Sequence, residues 1–278
     1  MRLILALLVV FLACASGPAV AQDRRPSHCI ALAQDLPDGI FVHRAAYRDP
    51  LPDNSVRLRY VAHATFLIRT PGGLNLATDY TGFLGTGDLV PDVVTMNRAH
   101  DTHWTPVPDP RIPHVLPGWN PEGGPVNHHL DLGEVLVRSV STDIRSWSGG
   151  VADGRDGNAI FVFEVAGLCI GHLGHLHHEP TPEQYAALGR LDVVMAPVDG
   201  GMTLDLPTMI RVLQRLRASV VVPMHWFGTG TLDRFLAGMS QDFRIERTGA
   251  SETVLSLRSL PPRPTVLVLS PAFLRDDD

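Results

Sequence analysis

The amino-acid sequence predicts a layered α/β fold, and three observations support that prediction. The first half of the chain holds short apolar runs separated by turn-forming residues, which is typical of β-strands. The second half alternates strand-like and helix-like segments, which is typical of a sheet covered by helices. Of the 278 residues, 45% are hydrophobic and 19% are charged, so the chain has enough apolar material for a substantial core.

The first half is predicted to be rich in strands. Apolar runs predict strands over residues 56–61, 65–68, 74–77, 93–96 and 135–140. Prolines and glycines are dense between residues 105 and 125, and glycine and aspartate are dense between 148 and 158. Because these residues exclude long helices, we expect both stretches to be surface loops near a site.

The second half is predicted to alternate between strands and helices. Residues 159–165 and 168–172 form paired strands, and residues 193–196 and 220–222 form two more. A capping threonine, Thr181, followed by Pro182 predicts a helix to about residue 188. Apolar residues at helical spacing predict a second helix over residues 206–216.

Residues 1–21 are predicted to form a secretory signal peptide that is cleaved after Ala21. Arg2 provides a positive start, residues 3–15 are almost wholly apolar, and Ala-Val-Ala at 19–21 fits a cleavage site. The apolar core is shorter than the ~20 residues that span a bilayer. We therefore expect a periplasmic or secreted protein that is not held in a membrane. A lipoprotein processed at Cys14 is the alternative.

The mature chain is predicted to have two parts. Residues 22–54, rich in Pro, Asp and Arg, form an extended arm, and residues 55–278 form the folded domain. After cleavage only Cys29 and Cys169 remain, so one disulfide at most is possible. Cys169 lies in an apolar run, where a buried free thiol is the first expectation.

The charge pattern restricts the possible partners. The formal net charge is −6, and no cluster of Lys and Arg is present to neutralise phosphates. We therefore expect a small-molecule substrate and not nucleic acid.

Loops that follow predicted strands carry most of the residues suited to binding a metal. In open α/β sheets, ligands bind beyond the carboxyl ends of the strands, so such loops meet at one edge. Imidazole is the commonest metal ligand, and a carboxylate is its usual companion. The residues in these positions are His100, His103, His172, His175, Asp199 and His225.

Four segments, in order along the chain, resemble the metallo-β-lactamase superfamily, and within it a lactonase-like branch that ends in Pro-Met-His. Residues 62–68 with Leu-Ala-Thr-Asp at 76–79 resemble its opening hairpin and first aspartate. Residues 97–103 lie where its His-x-His-x-Asp-His motif belongs, and residues 171–175 resemble its His-Leu-Gly-Asp segment. Residues 223–225 match its terminal motif. The resemblance covers roughly residues 55–230 and implies a four-layer αββα sandwich.

The chain departs from the family pattern at several ligand positions. Arg98 stands where the first histidine of the motif belongs, and Thr102 stands where its aspartate belongs. A guanidinium has no lone pair to donate, and a hydroxyl is a poor substitute for a carboxylate. His175 occupies the position of the bridging aspartate, and imidazole does not bridge two ions as a carboxylate does. The histidine of the third motif is absent, and Asp143 is the nearest candidate.

The resemblance, with these departures, implies one metal ion rather than two. Zinc is the first expectation, another divalent transition metal is possible, and the same histidines around a pocket without metal are the alternative. Asp199 or His172 is expected to move a proton. Arg98 is expected to receive an anionic group of the substrate or to pair with Asp101. The expected metal ligands are His100, His103, His175 and His225, with Asp143 as a further candidate.

The function predicted on this basis is that of an exported metal-dependent hydrolase. Such an ion lowers the pKa of a bound water, and the resulting metal-bound hydroxide attacks an ester, lactone, amide or phosphoester bond. The alternative is a non-catalytic periplasmic protein that keeps the fold and binds a metal or a small ligand. His63, within the opening hairpin, is expected to pack beside the site rather than to bind the ion.

Overall fold

The computed structural model describes residues 24–30, 50–145 and 154–276, which form two β-sheets and a layer of helices. The predicted signal peptide and most of the predicted arm lie outside the described residues. The α/β class predicted from the sequence is confirmed.

The first sheet is built mainly from the amino-terminal strands. In the spatial order given below, the first three pairs of neighbouring strands are antiparallel and the last two pairs are parallel. A register shift between Tyr60 and Ala62 kinks the first strand just before the turn at His63. In spatial order the strands are β13 (Glu252–Leu255), β1 (Val56–Ala62), β2 (Thr65–Arg69), β3 (Asn75–Ala77), β4 (Val93–Met96) and β5 (His114–Pro117).

The second sheet is mixed. Its parallel half contains fully buried strands rich in valine, which is typical of a sheet that is covered on both faces. In spatial order its strands are β12 (Arg244–Arg247), β14 (Thr265–Val268), β11 (Val220–Met224), β10 (Val193–Pro197), β9 (Leu168–His172), β8 (Asn158–Val165), β7 (Val135–Thr142) and β6 (His129–Asp131).

Three α-helices in the described residues cover the outer face of the second sheet: α1 (Pro182–Leu188), α2 (Leu206–Leu216) and α3 (Thr229–Met239). Thr181 and Gln184 form a capping box at the start of α1, and Asp205 caps α2. None of these helices is long and apolar enough to cross a bilayer.

The apolar core has separate layers. One cluster fills the space between the two sheets, with Phe66, Phe161 and Phe163 among its largest buried side chains. A second cluster lies between the second sheet and the helices. The outer face of the first sheet, where a helical layer is expected, is covered in the described residues by loops that contribute Tyr80 and Ile112.

The amino-terminal segment 24–30 is fixed to the second sheet by a disulfide between Cys29 and Cys169. The expectation of a free buried thiol at Cys169 was therefore wrong. Its apolar surroundings do not distinguish a buried thiol from a buried disulfide, and the partner lies 140 residues away in the sequence. Beside the disulfide, the buried carboxylate of Glu164 accepts a hydrogen bond from the His28 amide at 3.0 Å.

Candidate metal centre

Five histidine rings converge at the ends of strands from both sheets. His63 lies in the turn between β1 and β2, and His100 and His103 lie in the loop after β4. His175 follows β9, and His225 follows β11. Ring centroids are 4.0 Å apart for His63 and His225, 4.6 Å for His100 and His103, and 4.8 Å for His103 and His175. The structure therefore brings the four histidines predicted as ligands together and adds His63.

The backbone at two of these histidines has a left-handed conformation. The φ angle is 45° at His63 and 56° at His225, which costs about 1–3 kcal/mol at a residue other than glycine. Two hydrogen bonds to the His63 carbonyl hold the turn in place, one from the Tyr60 hydroxyl at 2.7 Å and one from the His225 amide at 2.9 Å. The second of these bonds joins the loop after β11 of the second sheet to the hairpin of the first.

A buried carboxylate orients His103. Asp79 Oδ2 lies 2.5 Å from His103 Nδ1, and Asn97 donates to Asp79 Oδ1 at 2.8 Å. Asn97 Oδ1 in turn accepts the Ala159 amide at 2.7 Å. Burial raises the pKa of Asp79 to about 6, with nearby histidines and Asn97 opposing the rise. Because Nδ1 faces a carboxylate, Nε2 of His103 is directed into the cluster.

A second carboxylate lies behind His225. Asp199 Oδ2 is 3.0 Å from His225 Nδ1, although the two groups are not aligned for a hydrogen bond. Asp199 Oδ1 accepts the amides of Gly201, Met202 and Thr203 at 2.9, 2.6 and 3.0 Å. Burial alone would raise the pKa of Asp199, but His225, Thr203 and these amides hold it well below its usual value. Asp199 is therefore an ionised group beside His225.

A chain of hydrogen bonds fixes the tautomer of His175. The Arg145 amide donates to His177 Nδ1 at 2.6 Å, so the proton of neutral His177 is on Nε2, which lies 2.5 Å from His175 Nδ1. His175 Nδ1 must then accept, and its proton is on Nε2, which lies 3.1 Å from His100 Nε2. His100 Nδ1 is left to donate to the Thr102 hydroxyl at 2.8 Å. In this arrangement His175 is a donor and His100 Nε2 is an acceptor.

The donor atoms of the cluster fit a metal ion. Nε2 of His63, His103 and His225 is buried and has no hydrogen-bond partner among the described residues. Leaving each buried and unsatisfied costs about 1–3 kcal/mol, which binding of an ion would relieve. One donor atom each from these residues and His100 lie within 4.8 Å of one another. Three or four imidazole nitrogens grouped in this way are a set of ligands that zinc and similar divalent ions bind.

The electrostatics of the cluster keep the imidazoles of His63, His103 and His175 neutral. Burial, followed by repulsion between neighbouring histidines, lowers the pKa of His63 to about 3. The same two causes, in the same order, lower the pKa of His103 and of His175 well below the usual value. A neutral imidazole has a lone pair to donate, so the rings are in the state that a metal requires at neutral pH.

Three residues predicted for the site have other surroundings. His172 is buried at the end of β9, where Nε2 donates to the Ala64 carbonyl at 2.8 Å and Nδ1 accepts the Gly174 amide at 3.2 Å, so both ring nitrogens are occupied. Asp143 is exposed, and its carboxylate accepts the Asp156 amide at 2.9 Å. Arg98 is exposed and forms no ion pair within the described part of the chain. The structure brings none of the three into the cluster.

A cleft of about 400 Å³ opens beside the cluster. Its lining includes His100, His175 and His177 of the histidine-rich loops together with Ile144, Arg145 and Met202. Among the residues that the structure describes, no carboxylate lines this cleft. A small molecule in the cleft would lie next to the donor atoms of the cluster.

The sequence left the roles of two groups unresolved. His63 was expected beside the site, but the register shift in β1 and the turn that follows direct its ring into the cluster. Asp79 was recognised only as a motif residue, and in the structure it backs His103. In the sequence, the position of His63 in the opening hairpin and that of Asp79 at the end of the third strand were the signals that placed these residues near the site. The direction of each ring depends on contacts between distant segments.

These features define a metal-binding α/β sandwich with a histidine cluster at the edge of two sheets. The sequence profile of the beta-lactamase superfamily domain matches residues 57–225. The chain belongs to this family, and the match spans both the first hairpin and the terminal histidine, His225. The resemblance to the superfamily, inferred from the motifs, is confirmed.

Solved structures agree with this assignment. A structure from Thermotoga maritima, assigned as a zinc-dependent hydrolase of the metallo-beta-lactamase superfamily, is 26% identical with a TM-score of 0.56. The alignment covers 77% of this chain and 98% of that chain. A structure assigned as a metal-dependent hydrolase from Parabacteroides distasonis shares the fold at 14% identity and a TM-score of 0.51, covering 66% and 88% of the two chains. No curated protein matches the sequence significantly.

Proposed function

We propose that this protein is an exported, metal-dependent hydrolase that uses one metal ion, with zinc the first expectation. The observation that carries the proposal is the convergence of three buried, unpartnered Nε2 atoms, from His63, His103 and His225. The reaction class is hydrolysis of an ester, lactone, amide or phosphoester bond. When bound, such an ion polarises the scissile group and activates water at neutral pH.

The proposed ligands are His63, His100, His103 and His225, each through a ring nitrogen. This set differs from the sequence-based set because His63 enters it and His175 leaves it. Asp143 is not included, because its carboxylate is exposed and is bonded to the Asp156 amide. No carboxylate of the described residues joins the cluster of donor atoms, which favours one ion over a carboxylate-bridged pair.

His175 is proposed to act as a donor within the site. Its Nδ1 is occupied by His177, and its Nε2 hydrogen points at the donor atoms of the cluster. A substrate oxygen in the neighbouring cleft can therefore accept a hydrogen bond from His175 as negative charge develops on it. Asp199 is proposed to orient His225 and not to move the proton, because its oxygens already accept three amides and a hydroxyl.

Export is supported by the disulfide between Cys29 and Cys169, since such bonds persist in oxidising compartments. The apolar start of the sequence, residues 1–21, supports the same conclusion.

The metal content of the protein, purified without chelator, tests the proposal. Elemental analysis is expected to give about one equivalent of a divalent transition metal, and less than about a tenth of an equivalent would contradict it. His103→Ala should lose the metal, because it removes a ligand that is completely buried. His178→Ala is the matched control, because His178 is exposed and lies only three residues from His175.

A non-catalytic binding protein is the second candidate. It is favoured by Arg98 and Thr102, which are exposed residues in the positions of two usual ligands. A panel of ester, lactone, amide and phosphoester substrates separates the two functions. A hydrolase turns over one of these classes and loses that turnover in His225→Ala, whereas a binding protein keeps stoichiometric metal and shows no turnover.

A further inference from the structure

Among the described residues that line the cleft beside the histidine cluster, Arg145 is the one with a cationic side chain. Its Nη2 donates to three consecutive carbonyls, those of Gly201 at 2.7 Å, Met202 at 2.5 Å and Thr203 at 3.0 Å. These bonds fix the guanidinium against the loop after β10. Carbonyl oxygens are neutral, so they orient the positive charge without cancelling it.

The same loop is held from its other side by Asp199. The amides of residues 201–203 point to the Asp199 carboxylate, and their carbonyls point to Arg145. The loop therefore lies between a negative group, next to His225, and a positive group, at the cleft. The peptide dipoles are aligned with both charges, so the loop is electrostatically stabilised with the cation facing the cleft.

No acidic side chain of the described residues neutralises Arg145. Within residues 24–30, 50–145 and 154–276, no acidic side chain lines the cleft and this guanidinium has no ion pair. Its Nε and Nη1 hydrogens have no partner among these residues. Ile144 and Met202 provide apolar surface in the same cleft. The cleft thus combines a cation that has no ion pair among the described residues with an apolar patch, next to the proposed metal ligand His100.

We infer that the cleft selects substrates with an anionic group, such as a carboxylate, which binds to Arg145 while an apolar portion lies against Ile144 and Met202. The inference rests on the proposed function for the position of the scissile bond. It moves the anion-binding role from Arg98, which is exposed and does not line the cleft, to Arg145. A guanidinium suits this role, because it remains charged at all relevant pH values and forms charge-assisted hydrogen bonds.

Two esters of equal chain length test the inference. The 4-nitrophenyl ester of pentanoic acid is neutral, and the mono-4-nitrophenyl ester of glutaric acid adds one carboxylate at the far end. We expect zinc-loaded wild-type protein to have the higher kcat/KM for the glutarate ester. Arg145→Met should lower the glutarate-to-pentanoate ratio by about 10- to 100-fold, the range for loss of a charge-assisted hydrogen bond. Arg145→Lys should retain most of the ratio, since it keeps the charge.

The ratio separates substrate selection from a purely structural role. If Arg145 only holds the 201–203 loop, Arg145→Met lowers both rates together and leaves the ratio unchanged, which overturns the inference. Arg155→Met is the matched control, because Arg155 is exposed near Ile144, whose amide donates to the Gly154 carbonyl, and it does not line the cleft. If Arg98→Met lowers the glutarate-to-pentanoate ratio and Arg145→Met does not, the inference is also overturned.

Absence of turnover on both esters would count against the proposed function, and binding then decides the inference. The anilides of glutaric and pentanoic acid, titrated calorimetrically into the zinc-loaded protein, form an equivalent pair. Tighter binding of the glutaric anilide that is lost in Arg145→Met supports the anion site. Equal affinity for the two anilides overturns it.

Discussion

Two aspartates each contact Nδ1 of one histidine of the cluster. Each aspartate thereby determines that Nε2 of its histidine is directed into the cluster. Asp79 contacts His103 at hydrogen-bonding distance and is held by Asn97, whereas Asp199 contacts His225 without hydrogen-bond alignment. A carboxylate behind a ligating imidazole raises its basicity and restricts its rotation. The better-aligned contact, from Asp79, is therefore expected to matter more for metal affinity.

Asp79→Asn should weaken metal binding by about 10- to 100-fold, the usual effect of removing such a partner. Asparagine keeps the shape of the side chain but removes the negative charge that faces His103. Affinity can be measured by competition with a chromogenic chelator. Asp143→Asn is the control, because that carboxylate is exposed and, among the described residues, accepts a hydrogen bond from the Asp156 amide alone. An equal loss in Asp143→Asn would instead support the sequence-based assignment of Asp143 as a ligand.

At the scale of elements, the amino-terminal segment depends on one buried carboxylate. Glu164, in β8, accepts hydrogen bonds from the Ser27 hydroxyl and from Arg138 Nε at 2.6 Å, and its Oε2 is 3.1 Å from His28 Nδ1. Burial opposes ionisation of Glu164, but Ser27 and Arg138 together lower its pKa below the usual value. The charged carboxylate therefore favours the folded state.

The pH dependence of stability follows from the lowered pKa of Glu164. A group whose pKa is lower in the folded state stabilises the fold above its unfolded pKa, about 4.3 for glutamate. That contribution is lost as the pH falls through the folded value. Wild type should therefore lose more stability than Glu164→Gln between pH 5 and strongly acidic conditions, and should be the more stable protein at pH 7. Urea unfolding at several pH values measures both, with exposed Glu122→Gln as the control that should follow wild type.

The carboxy-terminal segment is attached to the loop between β3 and β4 at a position that only glycine fits. Gly85 has a φ of 139° and forms an isolated parallel bridge with Leu274, and a Cβ atom there would lie 2.0 Å from the Leu274 carbonyl oxygen. Gly85→Ala should displace the segment and destabilise the protein by about 1–3 kcal/mol, measured by urea unfolding. Gly230→Ala, in α3 with space around it, should be neutral or slightly stabilising. Similar stability of the two variants would contradict the proposed attachment.

Strands and helices with clear local signals could be predicted closely from the sequence. The predicted helix over residues 206–216 matches α2, because its cap and its apolar spacing are local features. The helix Thr229–Met239 was not predicted, since it lacks a side-chain cap. The meeting of the loops at one site could also be predicted, because each loop follows the end of a predicted strand. The turn of His63 into the cluster and the exposure of Asp143 could not, because they depend on packing between distant segments.

At the scale of the whole molecule, the disulfide joins positions far apart in the sequence. Cys29 and Cys169 are separated by 140 residues, so the bond restricts the unfolded chain over half its length. Cys29→Ser with Cys169→Ser should lower the free energy of unfolding by about 2–5 kcal/mol. Denaturant titration of the purified variant measures the loss, and reduction of wild type with dithiothreitol should reproduce it. No change in either experiment would contradict a structural role for the bond.

The hydrogen bond from the His225 amide to the His63 carbonyl has a further consequence for the molecule. The proposed ligands come from loops of both sheets, so an ion bound by them would connect the two halves of the sandwich. Binding only to the folded state shifts the unfolding equilibrium, by about 2.7 kcal/mol at a free-ion concentration 100 times Kd. The supply of metal would then set the stability of the entire fold, and not the order of one loop alone.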